Sequence, residues 1–296
     1  MPDELLAKVK KGIRSTGYPL ELEIGSLFED NGWIPFHSVE YLDPVSGKQR
    51  ELDLLVYKIV NKRRIELRVS TKTSLNKQFV FFTREGRQNH WLDSLKHTPV
   101  QDQRPDSVPK PLLKLPFFSY PRDCINFTAF AGDNVDREVR SLLRDAIFSS
   151  INSIHHRILP DELLFDERGT IYFFLVVLRA EMFEAYFDGH AKELKVEHSK
   201  YARWTGKLSI PMSYYGMSVP DSEGGKVPFY NVLYWFGDSV TVEIISDSYL
   251  VKYLSEIERF FSMLDEDEIA FFGKEWIPKN FPKNLSGPPS IRQAKK

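Results

Sequence analysis

The chain has very little cysteine, since Cys124 is the only one among 296 residues. A single thiol cannot form an internal disulfide, and no Cys/His spacing resembles a zinc site, so we expect a reducing, cytoplasmic location. Long hydrophobic runs are also missing, because the longest, IYFFLVVL at 171–178, is far too short to cross a bilayer. The amino terminus has no apolar signal-peptide core, and we therefore expect neither secretion nor a membrane.

The chain also has no large excess of charge of one sign, because it contains 40 Lys and Arg residues and 41 Asp and Glu residues. This balance gives no general argument for nucleic acid or an anionic membrane. Residues 48–104 differ, with 13 basic against six acidic residues. That segment either faces phosphates or forms a solvated surface balanced by acidic stretches such as DEDE at 265–268. A hydrophobic content of 42% excludes a disordered chain and predicts a globular protein.

The first 85 residues predict a helix followed by three strands. Leu20, Ile24, Leu27 and Phe28 lie at helical spacing before Asn31-Gly32, which predicts a helix over about 19–31. Alternation and turn residues then predict strands at WIPFHSVEYLD, ELDLLVYKIV and IELRVSTK, followed by a short apolar run, QFVFF.

The rest of the chain is also mixed α/β. Six prolines in 98–123 predict a loop, and beyond it INFTAF predicts a strand and VDREVRSLLRDAIFSSINSIHHRI a long amphipathic helix. TIYFFLVVLRA predicts a strand buried on both faces, with MFEAYFDG as its hairpin neighbour. Two further strands, VPFYNVLYWFG and VTVEIIS, precede a closing helix, DSYLVKYLSEIERFFSML.

These elements suggest a division of the chain into four parts. They are a core at 1–97, a proline-rich connection at 98–123, an α/β region at 124–272 that completes or extends the fold, and a loose basic tail at 273–296.

A candidate site follows from strand alternation. Glu51 and Asp53 share one face of the second strand, and Ser70 and Lys72 share one face of the third. Neighbouring strands can therefore direct Asp53 and Lys72 to one spot, and Glu21 near the start of the preceding helix could add a second carboxylate. Phosphodiester hydrolysis uses such a set, with carboxylates for a divalent metal and a lysine to position water or stabilise developing charge.

At these residues the chain resembles the restriction-endonuclease-like nucleases with the PD-(D/E)xK motif, particularly Mrr-like prokaryotic forms. The resemblance rests on GYPLELEIGSLFEDNGW, on RELDLLVY, and on IELRVSTKTS followed by QFVFF. It covers roughly residues 17–85, with weaker similarity at VTVEIISDSYLVKYLSEIE. The implied fold is a restriction-endonuclease-like mixed sheet core flanked by helices, with a β-rich carboxy-terminal elaboration. The implied roles are Glu21 as the helix carboxylate, Asp53 as the central metal ligand and Lys72 as the catalytic lysine.

The chain departs from this family at Ser70, which stands where a Glu or Asp is usual. A serine cannot supply the anionic oxygen that a hard cation prefers. Some members of the superfamily carry Ser here and take the carboxylate from further along the chain. Glu85, 13 positions after Lys72, is the favoured replacement and Glu66 the alternative, so the expected metal ligands are Asp53, Glu21 and Glu85.

The resemblance implies a metal-dependent DNA endonuclease-like protein, with Mg²⁺ or Mn²⁺ as cofactor, DNA as partner and a role in prokaryotic defence or DNA processing. A homo-oligomer or a partner protein is also possible. The alternative is an inactive pseudonuclease that acts as a nucleic-acid-binding or scaffold subunit. A third possibility is a protein-interaction subunit that never touches DNA.

Overall fold

The computed structural model of the protein describes residues 2–14, 16–43, 46–60, 63–85, 122–153, 170–207, 218–220, 226–228 and 239–263. Within these residues the α-helices are α1 (Pro2–Arg14), α2 (Tyr18–Asp30), α3 (Arg137–Asn152) and α4 (Leu250–Met263), which follows a 3-10 turn at Asp247–Tyr249. No helix in this part of the chain is long and apolar enough to cross a membrane.

The described strands fall into one large sheet and one small two-stranded sheet. The large sheet contains β1 (Ile34–Leu42), β2 (Gln49–Val60), β3 (Arg63–Glu85), β4 (Arg122–Ala131), β5 (Asn134–Val135), β6 (Thr170–Asp188), β7 (Glu193–His198), β8 (Tyr201–Lys207) and β11 (Ser239–Ser246). The small sheet pairs β9 (Ser218–Pro220) with β10 (Lys226–Pro228) in antiparallel orientation. The fold is therefore mixed α/β, as the sequence predicts.

The long strands β3 and β6 form the centre of the large sheet. β1, β2 and β3 follow one another as an antiparallel meander, and β6 lies parallel to β3 along its other edge. β6 also pairs with β11, which pairs with β8, and β4 pairs with the second half of β3. A single bridge between Cys124 and Trp204 joins β4 to β8. The sheet thus curls on itself through β3, β6, β11, β8 and β4.

Hydrophobic residues cover both faces of this sheet. α2 and α4 pack on one face, where Phe28 and Tyr253 join one core with Leu67 and other apolar residues of the sheet. α3 packs on the other face, where Leu143 joins the core of the curled strands. Residues 173–178 of β6 alternate between the two cores and are all buried, which confirms the prediction of a strand buried on both faces.

Two strands are longer than the sequence indicated. QFVFF is part of β3, a single 23-residue strand whose pairing with β6 shifts register between Thr73 and Gln78. MFEAYFDG is not the hairpin neighbour of TIYFFLVVLRA, because both belong to β6 and the hairpin partner is β7. Residues 179–181, Arg-Ala-Glu, contain no turn former, so pairing with β3 continues past them.

Several predicted segments lie outside the described residues. They include VPFYNVLYWFG beyond Pro228, the proline-rich connection as far as residue 121, the end of the long helix beyond residue 153 and the basic tail at 273–296. The last two residues of the predicted connection, Arg122 and Asp123, begin β4.

A buried charged group joins the sheet to α3. The side chains of Glu66 and Arg68 are both fully buried, and the Arg68 guanidinium donates to a Glu66 carboxylate oxygen at 2.7 Å. Arg68 also donates to the backbone carbonyl of Ser153, directly after α3, and Arg64 donates to the second carboxylate oxygen of Glu66 at 3.0 Å. These bonds fix the end of α3 against β3.

Removing one partner of this pair should destabilise the fold strongly. Glu66→Ala leaves the Arg68 charge buried without its carboxylate, which costs about 3–5 kcal/mol of unfolding free energy. Urea denaturation followed by circular dichroism measures the change. In the matched control, Glu66→Leu/Arg68→Met, both charges are lost together, and the cost should be clearly smaller. If both variants lost the same unfolding free energy, the buried Arg68 charge would not be the cause of the destabilisation in Glu66→Ala.

Candidate active site

The site lies where the backbone pairing of β2 with β3 stops. The last paired residues on this side are Leu54 and Val69. Beyond them the carboxylate of Asp53 accepts a hydrogen bond from the backbone N–H of Thr71 at 2.6 Å, and its Oδ2 lies 3.3 Å from the Thr71 hydroxyl. A side-chain carboxylate therefore takes over from the backbone as hydrogen-bond acceptor at the end of the ladder, and Asp53 has a fixed position relative to β3.

Lys72 reaches the same spot. Its Nζ lies 3.8 Å from Oδ2 of Asp53, and the two side chains remain 33% and 21% exposed. An ion pair that is this open to solvent contributes at most about 1 kcal/mol to stability. The contact is therefore more informative about local charge than about folding, because it places an ammonium group and a carboxylate together at a partly open surface.

Glu21 on α2 supplies a second carboxylate near Asp53. It is buried, and its Oε1 lies 3.2 Å from Nδ1 of His37 on β1. Burial raises the pKa of Glu21 above its usual range, the hydrogen bond with His37 opposes that rise, and the negative charges of Asp53 and Glu51 raise it further. The pKa of Glu21 thus responds to Asp53, as expected for two neighbouring carboxylates.

His37 is a part of this arrangement that sequence reasoning missed. Its ring packs against Gly25 of α2, where an added Cβ would lie 2.5 Å from the imidazole. Glu21 and Gly25 are one helical turn apart on the same face of α2. The missing side chain at Gly25 leaves space for the His37 ring beside the Glu21 carboxylate. A glycine inside a predicted helix, four residues after an acidic residue, is the sequence signal for such a close approach.

Ser70 lies two residues before Lys72 on β3, but its side chain is inaccessible to solvent. It is 1% exposed, and its hydroxyl oxygen has no hydrogen-bond partner among the described residues. Its backbone pairs with Val176 of β6 inside the sheet. Position 70 of β3 is therefore a buried, uncharged one.

Glu66 and Glu85 are the two positions at which the sequence suggests a further carboxylate. Glu66 is held by its buried bonds to Arg64 and Arg68. Glu85 is the last residue of β3, where its backbone pairs with that of Arg122, and it lies thirteen positions beyond Lys72, about 40 Å along the strand. The structure brings the Asp53 and Lys72 side chains together, and Asp53 also raises the pKa of Glu21, whereas the backbone of Glu85 lies at the far end of β3.

The available ligands for a metal are therefore two carboxylates. In the part of the chain that the structure describes, no group of three or more His, Cys, Asp or Glu side chains could hold a metal ion. Oε2 of Glu21 and Oδ1 of Asp53 have no bonding partner among these residues. Two free carboxylate oxygens fit Mg²⁺, which commonly binds one or two carboxylates and completes its shell with water and substrate phosphate.

The chain matches no protein-family model, no curated protein and no solved structure.

The raised pKa of Glu21 should make the fold less stable as pH rises. The folded chain binds the Glu21 proton more tightly than the unfolded chain, in which the pKa is near 4.5. The stabilisation from the protonated form is complete below pH 4.5 and is lost as the pH rises through the higher folded pKa. In urea denaturation at a series of pH values from 4 to 7, the unfolding free energy of the wild type minus that of Glu21→Gln should therefore fall.

The matched control for that series is Glu29→Gln, which removes an exposed carboxyl from the same helix. The unfolding free energy of the wild type minus that of Glu21→Gln could instead stay constant or rise with pH. That result would contradict a raised pKa at Glu21.

Proposed function

We propose that the chain is a metal-dependent DNA endonuclease-like protein of the restriction-endonuclease-like class. The observation that carries the proposal is the Lys72 ammonium 3.8 Å from the Asp53 carboxylate, which the Thr71 N–H holds in place. The order helix, strand, strand, strand from α2 to β3, inside a mixed sheet covered by helices on both faces, supports the fold assignment.

Each residue has a distinct role in this proposal. Asp53 and Glu21 would hold Mg²⁺ or Mn²⁺ through the oxygens that have no partner among the described residues, and a bound ion would supply polarisation of a phosphoryl group and a more acidic water. Asp53 keeps its orientation through the Thr71 N–H, so its second oxygen stays directed away from β3. Lys72 positions the attacking water and stabilises the negative charge that develops on the phosphoryl oxygens.

His37 acts through Glu21 in this scheme. Because its Nδ1 is 3.2 Å from the carboxylate, a donated hydrogen bond favours the ionised form of Glu21 against the effect of burial. An ionised carboxylate is the form that binds a metal. His37 is thus a positioning residue that keeps Glu21 available as a ligand.

One observation favours a second candidate function, an inactive pseudonuclease that binds nucleic acid or serves as a scaffold subunit. Ser70 is buried and neutral where such a nuclease carries its further carboxylate, and Glu66 is committed to internal ion pairs. With only two carboxylates near Lys72, a cation would depend on substrate oxygens and water for the rest of its shell. DNA is the expected partner in both candidates.

Cleavage of plasmid and linear DNA with Mg²⁺ or Mn²⁺ distinguishes the two candidates. The nuclease proposal predicts cleavage by the wild type and a loss of about 10²–10³-fold in rate for Lys72→Ala, because the charge that stabilises the transition state is removed. Lys252→Ala is the matched control, since it removes an exposed lysine on α4. Thermal melting of each variant checks that the fold is retained.

Other outcomes would contradict the nuclease. Cleavage that appears only in Ser70→Glu would identify a pseudonuclease disabled at one ligand. No cleavage in any variant, together with DNA binding that a chelator does not weaken, would identify a binding or scaffold subunit. The absence of any salt-dependent DNA binding would favour a protein-interaction subunit instead.

A further inference from the structure

A second concave site lies along α3. It is an open cavity of about 420 Å³ between α3 and strands β4 and β8. Its walls combine three arginines with three aromatic rings, namely Arg137, Arg140, Arg144, Phe127, Phe148 and Trp204. The cavity shares no residue with the Asp53–Lys72 site.

The three arginines form one positive stripe. Arg137, Arg140 and Arg144 are three and four residues apart, so they share one face of α3, and all three are exposed. None forms an ion pair with a carboxylate of the described residues. Arg140 donates to the side-chain oxygen of Asn126 at 3.2 Å, which holds its guanidinium at the cavity. Guanidinium groups that share one face and have no carboxylate partner among the described residues suit phosphate, which they bind through two parallel hydrogen bonds.

The aromatic wall has a specific local cause. A Cβ at Gly206 would come within 1.9 Å of the Trp204 ring, so the glycine allows the indole to lie flat across β8. Phe148 meets this ring edge to face with centroids 6.2 Å apart, and the Arg144 guanidinium lies 5.6 Å from the Phe148 centroid. The indole remains partly exposed. A supported, partly exposed indole beside guanidinium groups is a combination that suits a base and its phosphate.

The same helix connects the cavity to the proposed active site. The Ser149 hydroxyl donates to the backbone carbonyl of Glu51, two residues before Asp53, at 3.2 Å. Arg140 is nine residues earlier in α3, which at 1.5 Å per residue is about 14 Å along the helix axis. A strand of nucleic acid lying along α3 could therefore reach the cavity and the Asp53–Lys72 site together.

We propose that this cavity binds a segment of single-stranded DNA, with backbone phosphates on Arg137, Arg140 and Arg144 and a base stacked on Trp204. The inference rests on the nucleic-acid part of the proposed function and names where the strand is held. It requires no metal at the cavity, so binding can be measured with a chelator present and without cleavage.

The first test measures the phosphate contacts. Fluorescence anisotropy of a labelled thymidine dodecamer with EDTA gives the Kd of the wild type and of Arg137→Gln/Arg144→Gln. The double variant should bind at least tenfold more weakly. The plot of log association constant against log salt concentration has a negative slope, and the magnitude of that slope should decrease by about 0.7 for each lost phosphate contact. Lys252→Gln/Arg259→Gln removes two exposed positive charges from α4 instead, and it should change neither quantity.

The second test measures the base contact. An abasic strand with the same number of phosphates should bind the wild type at least tenfold more weakly than the thymidine strand. Trp204→Leu should bind both strands equally. Quenching of protein fluorescence by the thymidine strand should be smaller in Trp204→Phe than in the wild type. Melting curves verify that each variant is folded.

The outcomes separate this proposal from the proposed function. Suppose that the wild type binds the strand, and that the α3 and α4 double variants lose affinity equally or not at all. The arginine cavity is then not the binding site, whereas the proposal that the protein binds DNA is retained. If the abasic strand binds as tightly as the thymidine strand, stacking on Trp204 is overturned. If the wild type does not bind the strand at any salt concentration, both proposals fail.

Discussion

The hydrogen bond from the Thr71 N–H to the Asp53 carboxylate is the contact on which the candidate site depends. Pairing between β2 and β3 ends at Leu54 and Val69, and without another acceptor the next N–H of β3 on that side would have no strand partner. Asp53 satisfies it with a side chain. Because Thr71 precedes Lys72, the same bond fixes the backbone from which Lys72 reaches back to the carboxylate. One contact thus sets the positions of the Asp53 carboxylate and the Lys72 ammonium.

Charges on β3 divide into two groups with different consequences. Glu66 and Arg68 are buried, neutralise each other and anchor the end of α3 through Ser153. Lys72 lies further along the strand, partly exposed, and its charge is available to a ligand. Burial therefore leaves Glu66 as a structural residue and Lys72 as a candidate functional one, although simple strand alternation puts them on the same face.

α3 then relates the two proposed sites to each other. Its end is held by the Arg68 guanidinium, Ser149 contacts the backbone of β2 beside Asp53, and its first turns carry the arginine cavity. A DNA strand bound along this helix would be held relative to Lys72 by the rigid sheet rather than by loops. This arrangement links the packing of the core to the proposed recognition of nucleic acid.

Much of the fold was predictable from local patterns, and the remainder depends on long-range pairing. The apolar spacing that ends at Asn31-Gly32 predicted α2 to within about a residue, and alternation predicted that Asp53 and Lys72 converge. The continuity of β3 and β6 was missed, because it shows mainly in the long-range pairing of the two strands, although the absence of a turn former at 179–181 was a local sign for β6. His37 was missed because its partners, Glu21 and Gly25, are distant in the chain.

Binding of Mn²⁺, measured by electron paramagnetic resonance, tests most directly whether Asp53 and Glu21 form a metal site. One Mn²⁺ should bind to the wild type, and Asp53→Asn and Glu21→Gln should each weaken that binding at least tenfold, because each removes one of two anionic ligands. Asp145→Asn, which removes an exposed carboxylate of α3, should leave it unchanged. Equal Mn²⁺ binding by all four proteins, or none by the wild type, would contradict a metal site at these two residues.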